Sequence, residues 1–386
     1  MHTTSYTADN WNQPPHNRHS FQHMADLFDT AIISKARAPA RDFPRRLQDL
    51  NAIPYPVGGG KTQPLSHFLD TTYTDAFVVL HQGAVITEEY RGDMHANSLH
   101  LLNSVSKSFV GMAAGIAVED GALDPNELVS HYLPELRESA FRNTSVANAL
   151  NMTAAVAFSE DYDRPLDDFW HEAAVVGWRP DLQTTDAPKS LLEYCQRRNQ
   201  SEQQEGEHFH YRTVLTNLCA GVITAATATP FVDFLSQRLW QPLGPQCDAN
   251  VVIDATGAPY MGAGMSACAI DLIRFGEMLR QDGYFNQHQI VPASWVQQTR
   301  QGSPELKRLF AASDYGPMLP NGHYANQVWA DPVAQEMLCI GIHGQVIYVN
   351  GDKELVCVKL SSQPSPADLS LYAATYRGLR GLAAAL

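Results

Sequence analysis

The sequence predicts an α/β (α+β) protein in which one mixed lobe, residues 1–127 and 258–386, is interrupted by an inserted all-helical lobe, residues 128–257. Two observations predict it. Apolar, β-branched runs gather toward both ends of the chain, at 76–90 and 345–360. The stretch between them shows little strand alternation and several helical patterns, so the strands at the two ends must meet in one lobe. The crevice between two such lobes is where a site is expected.

The elements follow in chain order. The first seventy residues are punctuated by Pro14-Pro15, Pro39, Pro44, Pro54, Pro56 and Gly58-Gly59-Gly60, the pattern of an irregular arm with one short helix near 21–33. Ala76–Leu80 and Ala84–Tyr90, separated by His81-Gln82-Gly83, read as a hairpin. From Ser104, apolar residues at Phe109, Met112, Ala113, Ile116 and Ala117 keep helical spacing until Gly121. Pro125–Leu136, Ser190–Arg198, Val214–Ala226 and Phe231–Leu239 read as helices. Gln345–Asn350 and Glu354–Leu360 flank Gly351-Asp352 as a second hairpin, and Asp368–Leu386 closes the chain as a helix.

Composition excludes several functions. With 27 Lys+Arg against 41 Asp+Glu the net charge is −14, which opposes nucleic acid and anionic lipid as partners. No apolar run approaches a membrane span, and Met1-His2-Thr3-Thr4-Ser5-Tyr6 has neither the basic start nor the apolar stretch of a secretory signal. Cys195, Cys219, Cys247, Cys268, Cys339 and Cys357 show no C-x-x-C or zinc spacing, which fits a reduced, cytoplasmic protein better than a disulfide framework. The sequence does not reveal the oligomeric state; base rates alone speak for a homodimer.

Three segments carry chemistry. Ser104-Val105-Ser106-Lys107 is the chain's one S-x-x-K. At helical spacing the Lys107 ammonium reaches the Ser104 hydroxyl, and a partly desolvated lysine can act as its base. Read alone, the same tetrapeptide is an N-capping serine followed by a solvated lysine. Tyr211 stands just before the apolar helix at 214–226, where a nearby cation would lower its pKa and fit it for proton transfer; a tyrosine packed at a helix start is the plain alternative. Gly341-Ile342-His343-Gly344-Gln345 leads into a late strand, where an exposed N–H could join that of Ser104 as an oxyanion hole. Its plain alternative is a bulge glycine beside a core histidine. Gly60-Lys61-Thr62 lacks the earlier glycine of a nucleotide-binding loop, since position 55 is Tyr55, and reads as a turn. His208-x-His210 and His171-Glu172 lack a third ligand at metal-site spacing.

Together, S-x-x-K, a tyrosine triplet about a hundred residues on and a glycine-bearing strand near the end resemble the motif trio of the serine β-lactamases and penicillin-binding proteins. Within that superfamily the chain is similar to the class C-like branch, and most of all to the 6-aminohexanoate-dimer hydrolases and related carboxylesterases. The likeness also runs through Pro14-Pro15-His16-Asn17-Arg18, Tyr73–Phe77, Glu160-Asp161-Tyr162, Gly177-Trp178-Arg179 and Val358–Ser362. It implies a β-lactamase-like antiparallel sheet flanked by helices and a cofactor-free, metal-free hydrolase of small esters or amides. It implies Ser104 as nucleophile, Lys107 as general base, Tyr211 as proton relay, and the N–H groups of Ser104 and Gln345 as oxyanion hole. Tyr162 matches a tyrosine that contacts the scissile group from a mobile loop, and His343 and Gly344 fall in the substrate-binding third motif.

The departures bear on substrate. Tyr211-Arg212-Thr213 and Ile342-His343-Gly344 stand where penicillin-handling members carry Tyr-x-Asn and Lys-Thr-Gly. Without that lysine, a β-lactam or D-Ala-D-Ala carboxylate loses a charged anchor worth about 1.5–3 kcal/mol. Amide-active relatives hold the substrate ammonium with an acidic side chain. Here that position is Ala173, with Glu172, Asp168 and Asp167 as neighbouring substitutes, and their pocket-facing polar residue aligns with Gly262. Ester hydrolysis is therefore expected to exceed amide hydrolysis.

Overall fold

The computed structural model describes residues 6–37 and 39–386. Met1–Ser5, read above for a leader, lie outside them. Eleven strands in two sheets position the site: β1 (Thr30–Ile33), β2 (Thr74–His81), β3 (Ala84–Tyr90), β4 (His100–Leu101), β5 (Ala249–Val252), β6 (Met265–Ala267), β7 (His323–Ala325), β8 (Val328–Asp331), β9 (Glu336–Gly341), β10 (Gln345–Asn350) and β11 (Leu355–Ser361). The larger sheet is antiparallel throughout, in the order β7-β8-β9-β10-β11-β2-β3. The two hairpins read from the sequence are thus neighbours in it: β11 pairs with β2, from Leu355 opposite His81 to Ser361 opposite Thr74. Both strands are buried along almost their whole length, which explains why their residues form continuous apolar runs.

Five helices matter for the site: α1 (Ser106–Glu119), α2 (Asp168–Val175), α3 (Thr213–Thr227), α4 (Ala269–Arg280) and α5 (Leu369–Ala385). α4 packs on the sheet so closely that a Cβ on Gly276 would lie 2.5 Å from Val356 Cγ1. α1 is buried on nearly every side, as expected for a helix that is apolar all round. Glycine is required at Gly111, where a Cβ would fall 1.8 Å from the Asn326 carbonyl oxygen.

Several expectations need correction. The predicted helix near 21–33 is two short helical turns, Asn17–Ser20 and Met24–Leu27, followed by β1. The β-branched end of that segment pairs instead with β5, Thr30 opposite Val252, so tertiary pairing overrides local periodicity. β5 itself lies inside the block read as helical, and it joins the smaller sheet β1-β5-β6-β4. Pro125–Leu136 forms one α-turn, Val129–Tyr132, and one 3₁₀ turn, Pro134–Leu136. Pro134 lacks the N–H that a continuing helix needs, and Asp124 bends the chain earlier by accepting from the Asn126 N–H at 2.9 Å. Phe231–Leu235 is helical and then widens into a π-turn over Ser236–Trp240. Gly60-Lys61-Thr62 lies at the turn of a small hairpin, Pro54–Gly58 with Lys61–Pro64. Among the described residues, no single helix is long and apolar enough to cross a membrane.

Candidate active site

The site is assembled where the smaller sheet delivers the chain to α1. β4 pairs with β6, and the Leu102 N–H donates to the Met265 carbonyl at 2.8 Å. Asn103 then takes a left-handed conformation, φ 47°, which asparagine tolerates better than most residues. Its side chain donates to the Ile342 carbonyl at 3.1 Å. One 3₁₀ turn, Asn103–Val105, carries Ser104 into α1, and the hydroxyl of Ser106 closes the turn by donating to the Asn103 carbonyl at 2.6 Å.

Lys107 is fully buried beneath Ser104. Its Nζ lies 2.8 Å from Ser104 Oγ, 2.9 Å from Thr213 Oγ1 and 2.6 Å from the Gly262 carbonyl, so all three ammonium donors have partners. Burial pulls its pKa down to about 8, against the attraction of Glu160 and Glu172. Thr213 in turn donates its hydroxyl to Glu160 at 2.7 Å and its N–H to the same carboxylate at 2.5 Å. Since that hydroxyl hydrogen is spent on Glu160, Thr213 can only accept from Lys107.

Tyr211 and Thr213 reach the site together because Arg212 between them is extended, φ −144°, ψ 115°, which puts its neighbours on one side. Arg212 points away, donating to the Ala154 carbonyl at 3.0 Å and pairing with Glu202. The Tyr211 ring stacks on Trp329 at 5.5 Å and lies 5.0 Å from Lys107 Nζ. The expectation that a cation would lower its pKa is overturned. Burial drives it well above the usual tyrosine value, Tyr324 and Glu160 push the same way, and the Ser104 hydroxyl opposes them. The phenol is therefore neutral near pH 7, a proton donor rather than a standing base.

The third segment meets the serine backbone to backbone. A Cβ on Gly341 would lie 3.1 Å from the Ser104 nitrogen and 2.5 Å from the Leu102 carbonyl oxygen, so only glycine allows β9 to end there. The Gln345 side chain is used in holding β10 to β11, donating to the Ser361 carbonyl at 2.6 Å and accepting from its N–H at 3.0 Å. Any part it takes in an oxyanion hole belongs to its backbone N–H. Gly344, φ 88°, is held against Gln363, whose Nε2 would be 2.5 Å from a Cβ.

A family model described as Beta-lactamase matches residues 67–382. The chain belongs to the beta-lactamase family. This family member is 31% identical over 361 residues to the 6-aminohexanoate-dimer hydrolase of Paenarthrobacter ureafaciens, covering 93% of this chain and 89% of that one. Its fold superposes with a TM-score of 0.88 on a Bacillus anthracis protein provisionally named as a 6-aminohexanoate-dimer hydrolase, at 24% identity, over 99% of this chain and 97% of that one. It also resembles a family VIII carboxylesterase, with a TM-score of 0.58 and 14% identity, over 81% and 95% of the two chains. It is thus a hydrolase of the β-lactamase and penicillin-binding superfamily, with the antiparallel sheet and flanking helices that the sequence led us to expect.

The residues expected to meet substrate are placed unevenly in this beta-lactamase family member. Tyr162 and His343 border a cleft of 500 Å³ together with Trp170, Trp178 and Arg179. The Tyr162 hydroxyl, however, donates to Glu160 at 2.6 Å. His343 is 3% exposed, its Nδ1 lies 2.6 Å from the Gln363 carbonyl, and burial lowers its pKa to about 4. It is the buried histidine of the plainer reading and carries no charge near neutral pH. Ala173 is fully buried within α2. Asp167 caps that helix, accepting from the Phe169 N–H at 3.2 Å, and Asp168 pairs with Arg198 at 2.5 Å, so both carboxylates already have partners within the chain.

Gly262 works through its backbone instead: its N–H donates to Asn217 at 2.8 Å and its carbonyl accepts from Lys107. A Cβ there would lie 2.4 Å from Thr213 Cγ2, so Thr213 already occupies the space that a longer side chain would need. Sequence reasoning assigned no part to Thr213, Asn217 or Glu160. Thr213 had a visible signal as third member of the tyrosine triplet, and Glu160 as first member of Glu160-Asp161-Tyr162. The cysteines, scattered in sequence, are partly gathered in space: ligand atoms of Cys247, Cys268 and Asp271 lie within 4.8 Å of one another. Asp271 is already bonded to the N–H groups of Gln246 and Cys247 and to Arg274.

Proposed function

We propose that this protein is a serine hydrolase that cleaves small carboxylic esters, and short linear amides of the 6-aminohexanoate-oligomer type more slowly, through an acyl-enzyme on Ser104. The observation that carries the reading is the 2.8 Å contact between Lys107 Nζ and Ser104 Oγ, made by a buried amine whose pKa is lowered to about 8. When Lys107 loses its proton, two N–H donors remain for Thr213 and Gly262 and the lone pair is left for the Ser104 hydroxyl.

In the first step Lys107 takes the Ser104 proton while Oγ attacks the carbonyl carbon. The oxyanion is held by the N–H groups of Ser104 and Gln345. Tyr211 gives its proton to the leaving oxygen or nitrogen as the C–O or C–N bond breaks, and recovers one from Lys107. Water then adds to the acyl-enzyme, its proton passing back through the same groups, and Ser104 is released.

The preference for esters rests on what surrounds the serine. Ala173 is apolar and buried, Asp167 and Asp168 are committed elsewhere, and Gly262 has no side chain. A substrate ammonium therefore lacks an anchor at those positions, while an ester, with its better leaving group, needs less help. A β-lactam carboxylate is equally unsupported, because the apolar, buried Ile342 stands where those relatives carry the lysine, and its neighbour His343 is neutral. An assay set of p-nitrophenyl acetate, linear aminohexanoate dimer and nitrocefin tests this. The expected order is ester, then amide, with nitrocefin last; nitrocefin turned over fastest would contradict it.

A further inference from the structure

Glu172 on α2 is a carboxyl fully removed from water, and the proposed mechanism does not use it. One of its oxygens accepts from Asn217 Nδ2 at 2.9 Å, while the other has no hydrogen-bond partner among the described residues. Asn217 turns its own oxygen to the Gly262 N–H at 2.8 Å, and the Gly262 carbonyl accepts from Lys107 Nζ at 2.6 Å. Three contacts therefore connect a buried acid to the amine beneath Ser104.

The polarity of this connection matters. An asparagine amide can present either end to a neighbour. With a carboxyl oxygen at its nitrogen, Asn217 must offer its oxygen to Gly262. Rotated by half a turn, it would set an NH₂ against the Gly262 N–H, and the carbonyl that holds Lys107 would have to shift. Burying an acid that only fills space is costly, since an apolar side chain would serve better.

We propose that Glu172 is a positioning residue for Lys107, acting through Asn217 and Gly262 to fix the amine against Ser104. The inference rests on the reading of Lys107 as base. The groups facing this acid are Asn217 on α3, Lys107 on α1, Glu160 and Arg198, with Tyr194, Cys195 and Tyr260 around them. Burial lifts Glu172 to about pH 8, so near neutrality it is an uncharged acid. When it ionises, its charge raises the proton affinity of Lys107.

Glu172→Ala and Glu172→Gln, assayed on p-nitrophenyl acetate from pH 5 to 10, test the proposal, with fluorophosphonate labelling of wild-type Ser104 as control. Glu172→Ala should lower kcat by about tenfold to a hundredfold with KM little changed, the scale expected when a reacting group is misplaced. Glu172→Gln keeps an acceptor for Asn217 and cannot ionise. It should restore most of kcat and move the acid limb of the profile to lower pH. Wild-type kcat and profile in both variants, or equal losses in both with an unmoved limb, would overturn the proposal. Label absent from wild-type Ser104 would instead overturn the nucleophile reading on which it stands.

Discussion

Lys107 Nζ and Thr213 Oγ1 are 2.9 Å apart, and the direction of that bond is fixed because Thr213 donates onward to Glu160. A threonine thus holds the lysine from the third place of the tyrosine triplet. Thr213→Val should leave the lysine and the Glu160 carboxylate each short of a partner, at about 1–3 kcal/mol. Steady-state kinetics on an ester should show this mainly in kcat; unchanged kcat would contradict the role.

Because burial sets the Lys107 pKa at about 8, the reactive form of the amine gains as pH rises. We predict that kcat/KM climbs from pH 6 and levels above about 8, and that Lys107→Ala loses this limb with kcat reduced by about 10²–10⁴-fold. A flat wild-type profile across that range would count against Lys107 as base.

Tyr211 is neutral at neutral pH, since burial raises its pKa well above the ordinary value. Removing its hydroxyl should therefore matter most when the leaving group needs a proton. Tyr211→Phe should slow an alkyl ester or amide far more than a p-nitrophenyl ester, and equal loss on both would contradict proton donation.

Glu172 also bears on stability. Its folded-state pKa, about 8, lies above the ordinary carboxyl value of 4.5, so the native chain binds a proton that the unfolded chain releases. The stability linked to that proton is present below about pH 4.5 and is lost as pH rises toward 8. Thermal melts should show Glu172→Gln gaining on the wild type between pH 5 and 8.5; a gap independent of pH would argue against a buried, protonated acid.

At Gly262 the available space is already taken: a Cβ would meet Thr213 Cγ2 at 2.4 Å. Gly262→Ala should destabilise the fold by about 1–3 kcal/mol and depress kcat as the Lys107 contact shifts. A melt and rate equal to wild type would show that the backbone yields more easily than expected.

Much of this arrangement was legible in the sequence because it rests on local spacing. Ser104 and Lys107 are one helical turn apart, the two hairpins carry their own turns, and the tyrosine triplet opens an apolar helix. What escaped notice depends on contacts between distant residues. Glu160 meets Thr213 across 53 positions and Asn217 meets Gly262 across 45, and neither pair has a local pattern. The segment 30–33 was misread because its strand exists only through pairing with 249–252. The burial of His343 was equally hidden, because Phe21, 5.2 Å away, comes from the distant N-terminal arm.

The central claim is that Ser104 is the nucleophile. Intact-mass spectrometry after fluorophosphonate treatment tests it most directly. We predict a single covalent adduct on the wild-type chain, mapped to Ser104 and absent from Ser104→Ala. No adduct on the wild type, or one that persists in Ser104→Ala, would contradict the account.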